Sequence, residues 1–450
     1  MLKLFLWLRY LHKKKIIFLS ITAVALSCAL LIIVSSLFNG FINAFERSAV
    51  EIMGDIVLAP PTTFTKYQLL IERLEQIGGV KAATAMLSAP GLLHIGKGDV
   101  RAVQIWGIEP QRRAKVTGFK QALIKQSKLP GELSFQVTGF TEKVGGFVGV
   151  GVVAEPDEKT DEYDFDAVEK TIGSDVLLTT GAVIETQESS SGRLDERFKR
   201  KSVKLTITDI VFTGVYEIDR KFVYLPIKEL QKNLYPNEDE PIAHEIQIKL
   251  TDDTRTDVVL AQIRGAWEDF AIKQLGWDLY LIRETTITTS RQMQSQQVAE
   301  FRKQMGILLL IFGVVSCSAV LLVGCIFYMI VITKQKDIAI VKSCGATSSS
   351  VALIFVGFGA CVGTIGSVAG TMFGYIVTKN INFVEEWIRI IFGLKLWKSS
   401  VYIFSKIPNE IDWDSTLLIS LLAIAAATVG ALIPAVIAIR TKPVNILRYE

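Results

Sequence analysis

The side chains that most often bind metals or act as nucleophiles are few in this chain and widely spaced. The 450-residue sequence contains three histidines and five cysteines. The histidines are His12, His94 and His244, and no His/Cys spacing typical of a metal site occurs in the sequence. We therefore predict no metal site and expect the histidines to be surface or packing residues.

The sequence also lacks the common motifs for phosphoryl and acyl chemistry. It contains no G-x-x-x-x-G-K-[ST] loop, no nucleophile elbow and no H-E-x-x-H. The net charge is only +4, and no basic stripe with interleaved aromatics occurs, so we predict no nucleic-acid binding. The chain is predicted to be non-catalytic and to bind no cofactor. Any energy that drives it must come from another subunit.

The stretch Thr333–Thr347 has residue types that indicate a specific contact. It predicts a short amphipathic helix on which Ile338 and Val341 share a face and which Gly345 can end. Such a helix is either a docking element for a cytoplasmic partner or a solvated loop helix. The candidate docking residues are Lys336, Asp337, Ile338, Ala339, Ile340, Val341 and Gly345.

Long apolar runs flank this stretch and also occur near both ends of the chain. Each of the four runs exceeds the roughly 20 residues that a helix needs to cross a ~30 Å hydrocarbon core. Their cores carry no charged residue, which argues against an ion or proton pathway. The predicted fold class is a membrane protein: four transmembrane α-helices with a large α+β extracytoplasmic domain between helices 1 and 2.

The distribution of Lys and Arg predicts the topology, because basic residues cluster before the first run, after the second and after the fourth. The first run is too long for a cleaved signal peptide and is expected to be an uncleaved anchor. The predicted segments are a cytoplasmic N-terminal segment (1–15), helix 1 (16–38), the extracytoplasmic domain with helical stalks (39–304), helix 2 (305–332), a cytoplasmic coupling helix (333–350), helix 3 (351–377), an outer loop (378–415), helix 4 (416–439) and a cytoplasmic C-terminal tail (440–450).

The polar block 39–304 has no cysteine, so an ordinary hydrophobic core must stabilise it. Alternating strands and helices predict an α+β domain of one or two lobes, with an acidic surface insertion at 154–174. Proline-free helical patterns flank the block, from Phe38 to Ile52 and over Thr288–Gln304. These stalks either transmit displacement or merely cap the domain. The predicted strands are Asp55–Ala59, Val100–Gly107, Phe147–Val153, Val176–Thr180, Val203–Thr208, Lys221–Leu225 and Glu245–Leu250, and the predicted helices are Lys66–Gln76, Ile227–Leu234 and Asp257–Leu275.

Two further segments have distinctive composition. Glu185–Lys201 is Ser-rich and then basic, and it is either a protruding hairpin arm or a plain loop. The third run places five glycines on one face, which predicts close packing against a neighbouring helix. These glycines are Gly359, Gly363, Gly366, Gly370 and Gly374.

Five segments carry a resemblance to a known family: the coupling stretch, Pro434–Glu450, Leu37–Phe41 (Leu-Phe-Asn-Gly-Phe), Val103–Pro110 and Ile407–Trp413. The first two are similar to motifs found across the permease subunits of type VII ABC transporters, the superfamily that includes LolC, LolE, MacB and FtsX. The other three resemble the lipoprotein-releasing branch of that superfamily. The acidic insertion departs from this pattern, as does the arm, which lacks the aromatic and proline content of the hook that recruits a carrier in LolC-like subunits.

The resemblance implies a permease subunit in the bacterial inner membrane with both termini in the cytoplasm. ATP and Mg²⁺ would bind to a separate cytoplasmic ATPase, and a second permease copy or a paralogue would complete the complex among membrane lipids. The cargo would be a lipoprotein, released from the outer leaflet by mechanotransmission and passed to a periplasmic lipoprotein carrier. The candidate cavity residues are Leu37, Phe38, Asn39, Gly40, Phe41 and Phe45, and the candidate carrier contacts are Arg193, Arg197, Lys199 and Arg200.

Two other functions stay open at this point. A MacB-like exporter of periplasmic substrates would share the fold, but MacB carries its ATPase ahead of the first span, where this chain has only 15 residues. An FtsX-like transducer would move no substrate and would activate a cell-wall hydrolase. The extracytoplasmic domains of such transducers are usually much smaller than the block 39–304.

Overall fold

A computed structural model describes residues 15–96, 98–137, 143–185, 196–252 and 254–440. The chain forms two compact units. The helical unit comprises the described residues up to 44 together with 297–387 and 407–440, and the sheet unit comprises 45–296 and 388–406. The chain therefore passes between the two units after residues 44, 296, 387 and 406.

Helices make up most of the helical unit, and the sheet unit has helices of its own that pack on its sheet. In chain order they are α1 (Lys15–Met53), α2 (Tyr67–Glu75), α3 (Pro110–Val116), α4 (Phe119–Ala122), α5 (Val150–Val153), α6 (Phe165–Glu169), α7 (Tyr216–Lys221), α8 (Ile227–Leu234), α9 (Thr256–Phe270), α10 (Leu279–Glu284), α11 (Ser290–Met293), α12 (Ser295–Thr333), α13 (Gln335–Ser343), α14 (Ser348–Lys379), α15 (Ile381–Phe392), α16 (Ser399–Tyr402), α17 (Trp413–Gly430) and α18 (Leu432–Arg440). A 3₁₀ turn covers Gln126–Lys128, and a π turn extends α9 over Ala271–Leu275.

The strands form one large mixed sheet and one small ribbon. They are β1 (Ile56–Ala59), β2 (Phe64–Thr65), β3 (Val80–Gly96), β4 (Asp99–Ile108), β5 (Val144–Gly149), β6 (Asp175–Glu185), β7 (Glu196–Val211), β8 (Phe222–Pro226), β9 (Ile242–Ala243), β10 (Glu245–Leu250) and β11 (Thr286–Thr289). The nine-stranded sheet has the order β11-β1-β10-β3-β4-β8-β5-β7-β6, and β2 pairs with β9.

The long strand β3 joins the two halves of this sheet. Its first half pairs with β10, and its second half pairs with β6 along the same edge. Because β6 is also the last strand of the order, the pairing β3–β4–β8–β5–β7–β6 returns to β3 and closes a ring. The large strands of the domain therefore form one continuous sheet.

The core of the sheet unit lies between the sheet and the helices α2, α8 and α9. On α9 the buried side chains recur every three or four residues and include Ile263, Trp267 and Phe270. The Trp267 ring packs edge-on against Phe64, with 5.4 Å between the ring centroids. Burial of such large apolar surfaces provides the main stabilisation of the unit, which contains no cysteine.

Four described helices are long and apolar enough to cross a membrane: Ile17–Met53, Ser295–Thr333, Ser348–Lys379 and Trp413–Arg440. The last of these is divided at Ala431 into α17 and α18. Pro434 causes this break, because it has no N–H to donate to the carbonyl of Gly430. The predicted fourth helix, 416–439, is therefore two helical pieces.

The glycine face of α14 packs directly on two other helices, as close packing requires. A Cβ added to Gly363 would lie 3.0 Å from the Cβ of Ala427 on α17. A Cβ added to Gly370 would lie only 2.5 Å from the carbonyl oxygen of Ala25 on α1. Side chains of any size are thus excluded from this face, and the first part of it contacts α17 while the later part contacts α1.

Residues 388–406, here called the outer segment, belong to the sheet unit although they lie between two long apolar helices. Phe404 pairs with Val215 as an isolated antiparallel bridge, flanked by backbone hydrogen bonds of 2.8 and 3.2 Å. The Ser399 N–H donates to the Asp161 carboxylate at 2.6 Å. The acidic insertion, expected to be only a surface excursion, thus also holds the outer segment.

A buried carboxylate organises the turn that meets the outer segment. Asp219 accepts the N–H groups of Thr213 at 2.7 Å and of Gly214 at 3.0 Å. Burial raises the pKa of the Asp219 carboxyl to about 7, and the hydrogen bonds from Thr213 and Gly214 oppose that rise.

Most predicted elements occur near their predicted positions, and the exceptions have physical reasons. The strand β3 was not predicted, because its small residues together with Pro90 and Gly91 give it low β-propensity. The predicted strand Phe147–Val153 ends at Gly149, because the helix α5 takes up Val150–Val153. The predicted second stalk, Thr288–Gln304, begins within β11 and is interrupted at Gln294, so its continuous helix starts at Ser295.

The glycine face generates a prediction about stability. Gly370→Ala forces a methyl group against a backbone carbonyl that cannot move without displacing α1. Overpacking of this kind costs about 1–3 kcal/mol, so the melting temperature of the purified chain should fall. The matched control is Gly313→Ala on α12, where an added Cβ meets no atom within 4 Å. Equal melting temperatures for the two variants would contradict this packing.

Candidate functional site

The predicted coupling stretch forms the helix α13, which lies between α12 and α14 in sequence. Its end is a Schellman motif: Gly345 has φ of 95°, its N–H donates to Lys342, and the Ala346 N–H donates to Val341 at 3.3 Å. Thr347 then caps α14 by accepting the Ser350 N–H at 3.2 Å. Both termini of this short connection are therefore specified by local sequence.

The two faces of α13 have different surroundings. Ile338 and Ala339 are buried, and Ile338 packs in a cluster with Val331 and Val351. By contrast, Ile340 is 51% exposed and Val341 47% exposed. The expectation that Ile338 and Val341 form one docking face is therefore corrected, because the bundle itself covers Ile338.

A lysine ties α13 to the end of α18. The Lys342 ammonium donates to the carbonyl oxygens of Ala438 at 3.2 Å and Ile439 at 2.6 Å. Both carbonyls belong to α18, so this one side chain attaches the two helices to each other. The outward residues Lys336 and Asp337, together with Ile340 and Val341, remain on the surface of the described chain.

The Asn-Gly pair near the predicted end of the first span has a structural role inside the helical unit. The Asn39 side-chain amide donates to the Asp412 carboxylate at 2.6 Å. A Cβ on Gly40 would lie 3.1 Å from the Pro408 carbonyl oxygen, so the two backbones are in close contact. Two of the motifs that carry the family resemblance, Leu37–Phe41 and Ile407–Trp413, therefore pack on each other.

The remaining candidate cavity residues lie along the same helix, α1. Leu37 and Phe38 are half-buried, and Phe45 is buried. Phe41 packs edge-on against Phe301 of α12, with 5.1 Å between ring centroids. The assignment of these residues to a substrate cavity stays a prediction.

The helix α12 has long stretches of apolar surface that no other described segment covers. Exposed apolar side chains recur along Ile307–Leu322. From Val323 to Val331 one face of the helix is buried in the bundle, while Tyr328 and Met329 on another face stay exposed. Gly306 and Gly313 also have no atom within 4 Å of an added Cβ. This part of α12 can accept lipid or another apolar helix.

The predicted arm begins as a β-hairpin. The strands β6 and β7 pair in register out to Glu185 and Glu196, which favours the hairpin over a plain loop. Arg193 lies outside the described residues. Arg197 and Lys199 lie on β7, and the Arg200 side chain is exposed.

A buried arginine, which the sequence-based reasoning missed, joins α1 to the sheet. The Arg113 guanidinium donates to the Ile52 carbonyl at 3.0 Å, in the last turn of α1, and to the Gln247 side chain at 3.1 Å. It lies 4.8 Å from the ring centroid of Trp106 and 5.8 Å from that of Tyr224. The segment Pro110–Val116 gave no sign of this role, because its partners are remote in sequence.

The buried charge of Arg113 is balanced by groups that lie close to it. Burial lowers the pKa of Arg113, and Tyr224 and Glu245 oppose that shift. Burial also raises the pKa of the Glu245 carboxyl, while its hydrogen bond with Gln247 and the charge of Arg113 oppose the rise. The junction thus depends on one cation with several partners. Among the described residues, no group of three or more His, Cys, Asp or Glu side chains is placed to hold a metal ion.

Comparison with known proteins finds sequence similarity to permease subunits. Residues 302–443 match the FtsX-like permease C-terminal family. In an alignment 467 positions long, the chain is 27% identical to the lipoprotein-releasing system transmembrane protein LolC of Neisseria meningitidis, and the alignment covers 100% of this chain and 99% of the relative. It is 25% identical over 443 residues to LolE of Haemophilus influenzae, covering 95% and 93%.

Among solved structures, the periplasmic region of MacB from Actinobacillus actinomycetemcomitans covers 55% of this chain and 94% of that chain, with 13% identity and a TM-score of 0.32. The relatives bear out the resemblance to LolC/LolE-type permeases and the predicted fold class. The chain is a membrane protein of the inner membrane.

The arginine junction predicts a loss of stability on mutation. Arg113→Met leaves the Ile52 carbonyl and the Gln247 oxygen without their donor, and each buried unsatisfied group costs about 1–3 kcal/mol. The thermal unfolding transition of the sheet unit in the full chain should shift downward accordingly. Arg112→Met is the control, because its ion pairs are partly exposed and exposed pairs contribute about 0–1 kcal/mol. Equal shifts for the two variants would exclude the junction as described.

Proposed function

We propose that this chain is the permease subunit of an ABC transporter that releases lipoproteins from the inner membrane. ATP would be hydrolysed by a separate cytoplasmic ATPase subunit, which also binds Mg²⁺, so this chain itself is non-catalytic and binds no cofactor. The observation that carries the proposal is the alignment of the whole chain with relatives named for lipoprotein release.

The geometry of α13 supports its assignment as the contact with the ATPase. Its outward face presents Ile340 and Val341 beside Lys336 and Asp337, a mixed apolar and charged surface suited to a protein partner. Its inward face is fixed by Ile338 and by the Lys342 hydrogen bonds. A displacement of α13 by the ATPase would therefore pass to α12, α14 and α18 together.

Two continuous helices connect this bundle to the sheet unit. α1 runs without interruption over Lys15–Met53, and Arg113 holds its last turn. α12 runs over Ser295–Thr333. A helix transmits displacement along its axis, whereas a Gly/Ser linker would absorb it. Work of this kind is necessary, because each buried methylene of an acyl anchor contributes about 0.8 kcal/mol to membrane binding.

The remaining parts of the proposal concern partners and topology. The uncovered part of α12 would contact a second permease copy or a paralogue, with the lipoprotein anchor entering near Leu37 and Phe41. Both termini would be cytoplasmic and the sheet unit periplasmic. A soluble lipoprotein carrier would bind at the hairpin of β6 and β7, where Arg200 is exposed.

The two faces of α13 provide the test of coupling. Ile340→Asp places a charge on the outward face and should reduce capture of the ATPase by about tenfold or more, a change of 1.4 kcal/mol or more. The melting temperature of the chain should not change, because Ile340 contacts mainly solvent. Ile338→Asp should instead lower the melting temperature, since that side chain is buried.

The control is Ser343→Asp, which adds the same charge to an exposed position of the same helix. It should leave ATPase capture close to the wild-type level. Wild-type capture by Ile340→Asp, with amounts of membrane-inserted chain matched, would show that α13 is not the contact.

A further inference from the structure

The short helix α15 has its apolar side outward. Its exposed face consists of side chains at positions i, i+4, i+7, i+8 and i+11, all of them large and apolar, with exposed fractions between 55% and 71%. The polar residues of the helix, including Glu385 and Arg389, are half-buried on the other side, where the terminal Phe392 is the one exposed large apolar side chain of this helix. This outward face, called the α15 face, consists of Phe383, Trp387, Ile390, Ile391 and Leu394, the last just beyond the helix end.

Hydrogen bonds fix this orientation. The Asn382 side chain donates to the Ile407 carbonyl at 3.1 Å and accepts the Ile407 N–H at 2.9 Å. The helix cannot rotate its apolar side inward without breaking both bonds. Such a face would be unfavourable in water, so it requires an apolar environment.

The sequence position of α15 indicates which environment that is. Only Asn380 separates it from α14, whose last residue is Lys379. At that end of α14, the Tyr375 ring packs on Trp413 with 5.9 Å between centroids, and the Lys379 ammonium lies 5.7 Å from the Tyr375 ring. Tyr, Trp and Lys are the residues that collect at the boundary between hydrocarbon and headgroups.

We propose that α15 is an interfacial helix whose α15 face inserts into the lipid of the leaflet at that end of the bundle, the outer leaflet in the proposed topology. Its composition fits a lipid surface, with a charge-free apolar face, an aromatic pair and a polar opposite side. Its length of 12 residues is about 18 Å, too small to supply the ~800 Å² per partner of a standard protein interface. The inference rests on the membrane assignment and not on the nature of the cargo.

The test measures the depth of a spin label in the membrane. Ile391→Cys is labelled with a nitroxide in a variant whose five native cysteines are replaced, and the chain is reconstituted in phospholipid vesicles. A label on the α15 face should be relaxed more by oxygen, which partitions into lipid, than by a water-soluble nickel chelate. The control is Val258→Cys on α9, an exposed apolar position of the sheet unit that should show the reverse.

Two outcomes would overturn the proposal. Nickel accessibility at Ile391→Cys equal to that at Val258→Cys would place the α15 face in water. Spin–spin broadening between labels at position 391 would indicate that a second copy covers it instead. If the cysteine-free chain does not insert, a benzophenone amino acid at Trp387 in the native background replaces the label. Lipid adducts detected by mass spectrometry then support the proposal, and adducts only with protein refute it.

Discussion

The close approach of backbones along the glycine face of α14 is the constraint on which the helical unit depends. An added Cβ at Gly359 would lie 2.5 Å from Ala431, and one at Gly370 would lie 2.5 Å from the backbone of α1. In lipid there is no hydrophobic force between apolar helices, so van der Waals contact of this kind must hold them together. α14 thereby becomes the common partner of α1 and α17.

This packing would let a short surface helix act on the whole bundle, as the proposed coupling requires. Ile338 is inserted among α12, α14 and α18, and Lys342 holds the last carbonyls of α18. Within the sheet unit, the buried Arg113 similarly holds the last turn of α1 by donating to the Ile52 carbonyl. Both connections use one side chain to hold backbone carbonyls of a helix. The outer segment is itself attached to the rest of the sheet unit through the bridge between Val215 and Phe404.

The sequence was sufficient to predict the features that depend on local pattern. Apolar runs predicted the long helices, and Gly345 predicted the end of α13, because length, periodicity and positive φ are properties of a few neighbouring residues. The side of α13 that faces the bundle could not be predicted, since Ile338, Ile340 and Val341 are chemically alike and only remote helices distinguish them. Arg113 was missed for the same reason, because its partners are distant in sequence, whereas β3 was missed because its small residues, Pro90 and Gly91 give it low β-propensity. The exposed α15 face could have been noticed from the spacing of Phe383, Trp387 and Ile391.

The central claim is that movement of the bundle, driven by a separate ATPase, extracts a lipid-anchored protein. The most direct measurement reconstitutes the chain with its ATPase and second permease subunit in proteoliposomes containing a triacylated lipoprotein, and follows lipoprotein transfer to a soluble carrier. Our account predicts transfer that requires ATP hydrolysis and stops when hydrolysis is blocked. Continued ATP hydrolysis with the lipoprotein retained in the membrane at the level seen without ATP would contradict it.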